Sequence, residues 1–243
     1  MKGMVIDTTR CIGCGACREA CRAQNYLPES SDTDLSERTY TVVKQQNGVN
    51  YRRLCMHCLD PTCASVCPVG ALRKDPRGPV TYAAERCIGC RYCMLACPFG
   101  VPRYEWTKAL PLVRKCTMCA ERVLCGGTTA CAEACPVGAT VFGDRDQLLR
   151  EARARIAAEP KKYVNRIYGE QEVGGTSVLY LSSVPFEQLA LRTDLGKEPL
   201  PLLTYRVLSR IPHLVALGGV MLGGVWWITR RRIQVARAEG GKD

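Results

Sequence analysis

Sixteen of the seventeen cysteines fall into four runs: Cys11, Cys14, Cys17 and Cys21; Cys55, Cys58, Cys63 and Cys67; Cys87, Cys90, Cys93 and Cys97; Cys116, Cys119, Cys131 and Cys135. The first and third read C-x2-C-x2-C-x3-C, a spacing that wraps three thiolates around one cubane iron-sulfur cluster and lends the fourth to a neighbouring cluster. The second (CMHCLDPTCASVCP) and fourth (CTMCAERVLCGGTTACAEACP) stretch the middle gap but keep the opening C-x2-C and the closing C-x3-C-P. Four runs predict four 4Fe-4S clusters, and the chemistry they carry is electron transfer. Small residues let backbone N–H groups approach the sulfides, which makes Gly13, Gly15 and Gly89 the expected cofactor contacts. Cys125, in the insertion of the fourth run, is read as a spare thiol.

Zinc is the plainer reading of paired C-x2-C motifs. Zinc sites usually place their two pairs a dozen or more residues apart, however, and triple-Cys runs closing on C-x3-C-P suit cubanes. The cysteine count is odd and Met1 to Arg10 holds no apolar secretory stretch, so a disulfide scaffold is not expected. No catalytic group accompanies the cysteines. The two histidines are His57, inside CMHC and read as lying behind the ligands, and His213, read as a helix-entry residue. The formal charge of +11 invites a nucleic-acid reading. Sixteen bound thiolates bring about −16 and four oxidised cubane cores about +8, leaving the loaded chain near +3. With no aromatic-interleaved basic stripe and no recognition-helix pattern, no nucleic-acid partner is expected.

The elements that position these cysteines follow from local pattern. Met4 to Asp7 predicts a strand leading into the first run. Three Cys-Pro turns repeat Pro-x-Gly from Pro68, Pro98 and Pro136; Pro ends the short helix carrying the fourth Cys and Gly permits the turn after it. Ala71 to Arg73 and Val80 to Tyr82 flank the turn formers Asp75 to Gly78, a predicted hairpin. Arg22 to Leu54 is read as an inserted surface loop containing two strand-like pieces, Thr39 to Val43 and Val49 to Leu54. Asp144 to Glu159 reads as an amphipathic helix opened by a capping box of Asp144 with Gln147, with Leu148, Leu149, Ala152 and Ile156 inward. Pro160 to Leu203 shifts towards Gly, Pro and polar residues and is expected to be an extended tail covering a neighbour, with one strand at Val178 to Leu181. Ile211 to Thr229 is 19 residues without a charge, long enough to span a bilayer.

Together the cysteine runs, CMHCLDPTC, GALRKDPRGPV, GCRYCMLACPFGVPRY and IYGEQEVGGTSVLYLSSVPFEQL resemble the four-cluster iron-sulfur (beta) subunits of membrane-bound respiratory oxidoreductases, especially of hydrogenase-2-type nickel-iron hydrogenases and membrane-bound formate dehydrogenases. The resemblance implies an α+β fold of two bis-4Fe-4S ferredoxin-like modules, an extended C-terminal tail and one C-terminal transmembrane helix. The implied segments are 1–54 (first half of module A plus the insertion), 55–110 (module B), 111–159 (second half of module A plus the amphipathic helix), 160–210 (tail), 211–229 (membrane helix) and 230–243 (basic tail). It also implies the ligand sets: Cys11, Cys14 and Cys17 with Cys135; Cys116, Cys119 and Cys131 with Cys21; Cys55, Cys58 and Cys63 with Cys97; Cys87, Cys90 and Cys93 with Cys67. The implied partners are a catalytic nickel-iron or molybdenum/tungsten subunit and an integral membrane subunit that binds quinone or haem.

The expected function is therefore non-catalytic electron conduction inside a membrane complex. A stand-alone, membrane-attached polyferredoxin carrier is the rival; the apolar C-terminal helix and long tail speak against a freely diffusing one. A self-sufficient reductase would need a dinucleotide or flavin signature, and none is present. After Thr229 the tail carries Arg230, Arg231, Arg232, Arg237 and Lys242, against Lys197, Arg206 and Arg210 in a comparable window before Ile211. Positive residues near a span stay in the cytoplasm, so the expected location is the inner membrane, single-pass, with the cluster domain on the periplasmic side. Its export would then rest on a partner's signal.

Overall fold

The computed structural model describes residues 1–240, so Lys242 and Asp243 of the basic tail lie outside the described residues. In chain order the elements are β1 (Lys2–Asp7), α1 (Ala16–Gln24), β2 (Val42–Gln46), β3 (Val49–Arg53), α2 (Thr62–Ser65), β4 (Leu72–Lys74), β5 (Val80–Tyr82), α3 (Tyr92–Ala96), β6 (Arg103–Tyr104), β7 (Val113–Arg114), α4 (Ala120–Leu124), α5 (Ala130–Glu133), β8 (Thr140–Asp144), α6 (Arg145–Ala158), β9 (Val178–Leu181), α7 (Leu200–Leu208) and α8 (Ile211–Glu239). They fall into two units, residues 1–201 and 202–243.

In the first unit a three-stranded sheet of order β8-β1-β9 pairs β1 antiparallel to β8 and parallel to β9. Side chains of a strand alternate between faces. Met4 and Ile6 accordingly enter the main core beside Cys17 and Cys21, while Val5 packs with Leu148, Leu149, Ala152 and Ile156 of α6. Covered on both faces, the sheet needs continuous apolar strands, and all four residues of β9 are buried. The Cys-bearing helices pack in pairs, α1 with α5 and α2 with α3. Beside the second pair, Leu72, Val80 and Val113 form a smaller core with Cys93.

Three local expectations change. The inserted segment is not a surface loop. It forms the hairpin β2–β3, closed by Asn47 (φ 50°) and Gly48 (φ 74°), a pair of left-handed residues that matches the twist of the strands. That hairpin puts Val42, Tyr51 and Arg52 inside the protein. The strand expected at Val178 to Leu181 forms as β9, but the stretch around it is no outer covering: β9 pairs with β1 in the central sheet, and Phe186 and Leu189 beyond it are buried in the main core. The cap of α6 is one-sided. Asp144 accepts the N–H groups of Asp146 and Gln147, but the Gln147 side chain turns outward to Glu151.

In the second unit, α8 does not end at Thr229 but runs ten residues further to Glu239, since Arg and Ala propagate a helix well and no Pro or Gly intervenes before Gly240. Its apolar part is long enough to cross a membrane, and the Arg230 guanidinium lies over the Trp226 ring at 5.0 Å.

Candidate iron-sulfur centres

Each Cys run opens with the same backbone device. The residue two places after the first Cys takes a left-handed conformation in all four runs: Gly13 (φ 74°), His57 (φ 48°), Gly89 (φ 69°) and Met118 (φ 55°). The turn aims amides back at sulfur, with the Gly89 N–H 3.5 Å from Cys87 Sγ and the Met118 N–H 3.4 Å from Cys116 Sγ. Sequence reading found this position only where it is glycine. At Gly13 glycine is needed twice over, because a Cβ would also stand 2.9 Å from Asn50 Oδ1, and Asn50 itself donates to the Cys11 carbonyl.

The third Cys of each run then rides on a helix: Cys17 on α1, Cys63 on α2, Cys93 on α3 and Cys131 on α5. The fourth Cys of these runs lies just past its helix and not on it, Cys97 directly and Cys67 and Cys135 one residue further on; there Pro68, Pro98 and Pro136 stop helical hydrogen bonding, and Gly70, Gly100 and Gly138 turn the chain with φ of 60°, 57° and 59°. Cys21 is followed by Arg22 instead, and α1 continues to Gln24.

The fold brings the runs together in a definite order. Cys11 has Cys14 and Cys135 as electrostatic neighbours, and Cys17 has Cys11, Cys135 and Cys131. Cys21 is near Cys119 and Cys131, and Cys116 is near Cys21, Cys131 and Cys55. Cys58 has Cys55, Cys63 and Cys97, Cys63 adds Cys93, and Cys93 has Cys67, Cys87 and Cys90. Every expected ligand belongs to this chain of neighbours. Cys125 stands exposed at the end of α4.

The donor set fits iron-sulfur clusters on its own chemistry. Burial pushes the Cys21 and Cys63 thiols up to about 12 and that of Cys93 to about 11, and adjacent thiols push the same way. Bare thiolates so enclosed repel, and a polycationic core removes that penalty. His57 gives a second sign. It is fully buried, its Nδ1 accepts the Val80 N–H at 2.9 Å, and burial with Lys115 and Lys74 nearby holds it well below its ordinary pKa. The neutral ring therefore carries its proton on Nε2, which has no partner among the described residues and would suit an inorganic sulfide acceptor beside Cys55 and Cys58.

Sequence reading missed two buried cations, Arg52 and Lys115, the half-buried Lys74 and one buried carboxylate. Lys74 Nζ donates to the carbonyls of His57 and Gly78 and to Ser177 Oγ, tying the second run to β9's approach, and burial lowers it to about 8. Lys115 Nζ donates to the Val80 and Cys116 carbonyls. Arg52 lines one cavity with Cys11, Cys14, Cys17 and Cys135. Asp7, fully buried, accepts from Tyr163 Oη at 2.9 Å and Thr9 Oγ1 at 2.6 Å and so pins the entry to the first run. Isolated basic and acidic residues carry no spacing signal, so only the fold brings these groups to the thiols.

Family comparison agrees with the site. Residues 4–24 match a 4Fe-4S binding domain and residues 46–145 a 4Fe-4S dicluster domain, which makes this an iron-sulfur protein with ferredoxin-like 4Fe-4S domains. A protein of Nitratidesulfovibrio vulgaris is 42% identical over 98% of this chain and 69% of its own length. The hydrogenase-2 operon protein HybA of Escherichia coli O157:H7 is 36% identical over 99% of this chain and 88% of its own. The iron-sulfur subunit of the nitrate-inducible formate dehydrogenase of Escherichia coli K12 is 37% identical over 73% of this chain and 66% of its own. The chain belongs to the family of HybA and the formate dehydrogenase iron-sulfur subunits, the electron-transfer subunits of respiratory oxidoreductases.

Proposed function

We propose that this chain conducts electrons, without catalysing a reaction itself, between a catalytic nickel-iron or molybdenum/tungsten subunit and an integral membrane subunit that binds quinone or haem. Four 4Fe-4S clusters sit in two double-cluster modules, one built from the first and fourth Cys runs and one from the second and third. Cys11, Cys14, Cys17 and Cys135 hold the first cluster and Cys116, Cys119, Cys131 and Cys21 the second. Cys55, Cys58, Cys63 and Cys97 hold the third and Cys87, Cys90, Cys93 and Cys67 the fourth. When bound, the clusters supply one-electron redox chemistry. The protein's part is to space the four, exclude water and aim N–H groups at the sulfurs.

The observation that carries this reading is the proximity of Cys116 to Cys55. It supports a path across the two proposed modules in the order first, second, third, fourth. A freely diffusing polyferredoxin carrier has no need of the apolar α8, which we assign as a single-pass inner-membrane anchor with its basic C-terminal side in the cytoplasm and the clusters in the periplasm. Extraction in mild detergent tests the reading: a large metal-cofactor subunit should co-purify with about sixteen irons bound per copy of this chain, whereas a homogeneous single chain would support the carrier. Protease added to spheroplasts should reach the Cys-rich region; protection until lysis would place the clusters on the cytoplasmic face.

A further inference from the structure

Arg52 is the largest fully buried side chain in the protein, and its partners are unusual for a guanidinium. Nη1 donates to Thr140 Oγ1 at 2.9 Å, and Nε and Nη2 both donate to Thr41 Oγ1 at 3.3 Å. No carboxylate pairs with it among the described residues. An interior charge without a counter-charge costs several kcal/mol, so the compensating negative charge must come from elsewhere. The groups on which its charge acts are the Tyr180 phenol and thiols from two proposed ligand sets: Cys11 and Cys17 of the first, Cys21, Cys119 and Cys131 of the second. At Cys131 burial pushes the thiol up, yet the guanidinium, joined by hydrogen bonds from Thr129 and the backbone, brings the group below its ordinary value. The two threonine hydroxyls accept from three corners of the fork, which fixes the cation between the sets.

We infer that Arg52 is a positioning residue that sets redox potential, the shared counter-ion of the first two clusters. The inference rests on the proposed cluster assignment. Four thiolates around an oxidised cubane core leave about −2 on each cluster, and reduction adds one more negative charge. A fixed cation beside both therefore favours their reduced states and raises both potentials. The step is a single electron delivered to one cluster and given up by the adjoining cluster in the path. No bond breaks and no proton moves, because a guanidinium stays protonated in both states. Electrons then rest more readily at the two clusters beside Arg52 than they would without its charge.

The test compares Arg52→Gln, which keeps hydrogen bonding and removes the charge, with Arg52→Lys, which keeps the charge and loses the fork. Each is purified as the detergent-extracted complex, assayed for iron, and titrated with dithionite under electron paramagnetic resonance. We expect Arg52→Gln to retain its iron while the reduced-to-oxidised ratio of two of the four clusters falls at least tenfold at fixed ambient potential, about 59 mV for a one-electron couple. Arg52→Lys should stay within threefold of wild type. Unchanged ratios in Arg52→Gln, or an equal fall in Arg52→Lys, would overturn the inference. If the glutamine variant loses its iron, the lysine variant decides, a ratio within threefold of wild type supporting the counter-ion and a tenfold fall overturning it. Failure of the cluster assignment itself reads differently, as wild-type iron far from sixteen per chain.

Discussion

The two ends of the thiol array solve the same problem with different side chains. Around the first run and Cys135, a sheet buried on both faces backs the cysteines, a hairpin inserts Arg52, and Asp7 locks the entry loop. Around the third run and Cys67 the backing is a two-stranded hairpin and a small core, Tyr82 faces Cys87, and the loop is held by Glu105 at the surface-side hairpin β6–β7. The run itself determines only where thiolates can go. The surroundings determine how rigidly they are held and what charge they feel, and the surroundings here come from segments far away in sequence.

Breaking the ligands gives the largest effect. Cys135→Ser at one end and Cys67→Ser at the other should each remove about four of the sixteen irons, while Cys125→Ser removes none. Iron determination on the purified complex checks this, and an essential Cys125 beside a dispensable Cys131 would show that the fourth run is misassigned.

Loosening the two locks comes next. Asp7→Asn and Glu105→Gln each leave buried donors with a weaker acceptor and should lower stability by about 1–3 kcal/mol, read as a fall in thermal midpoint. Resolved by paramagnetic resonance, the first should broaden only the signals of the Arg52 end and the second only those of the far end. Burial alone would raise the Glu105 carboxyl, but Lys108, Arg114 and the Leu112 N–H hold it below the usual range. A carboxyl depressed in the folded state contributes stability above its unfolded pKa and loses it as pH falls through the folded one. The midpoint gap between wild type and Glu105→Gln should therefore stay constant from pH 7 to about pH 5 and narrow below that; a gap that widens in acid contradicts the arrangement.

The smallest effect compares equivalent turn positions, four residues after the first Cys. Gly15 (φ 76°) and Arg91 (φ 64°) both adopt the left-handed region. A Cβ at Gly15 would touch nothing within 4 Å, so Gly15→Ala isolates backbone strain and should cost about 1–2 kcal/mol. Arg91→Gly relieves that strain but forfeits the guanidinium's contacts over Tyr104 and Trp106 at 5.6 and 5.2 Å, worth about 0.5–1 kcal/mol together with the entropy cost of glycine. It should come out near neutral by thermal midpoint. In the membrane-directed helix, Leu at both Gly219 and Gly223, where close helix approach is possible, should release the membrane partner and leave iron content unchanged; retained association rules that face out.

The sequence by itself determined the 4Fe-4S chemistry, the strand at Val178 to Leu181, the hairpin around Asp75 to Gly78 and the apolar C-terminal helix. All of these rest on spacing within a dozen or so residues, and short-range spacing dictates short-range geometry. Two placements depended on tertiary structure alone. The segment read as a surface loop became the hairpin that buries Arg52, and the segment read as a covering tail became the third strand of the central sheet. Local pattern marked the strands themselves but not their partners, because a lone Arg or a four-residue apolar run acquires its role only from what packs against it. The left-handed turns at His57 and Met118 escaped for a related reason. Sequence marks such turns through glycine, whereas here the surrounding core and the thiol array hold a costly conformation that the residue type does not announce.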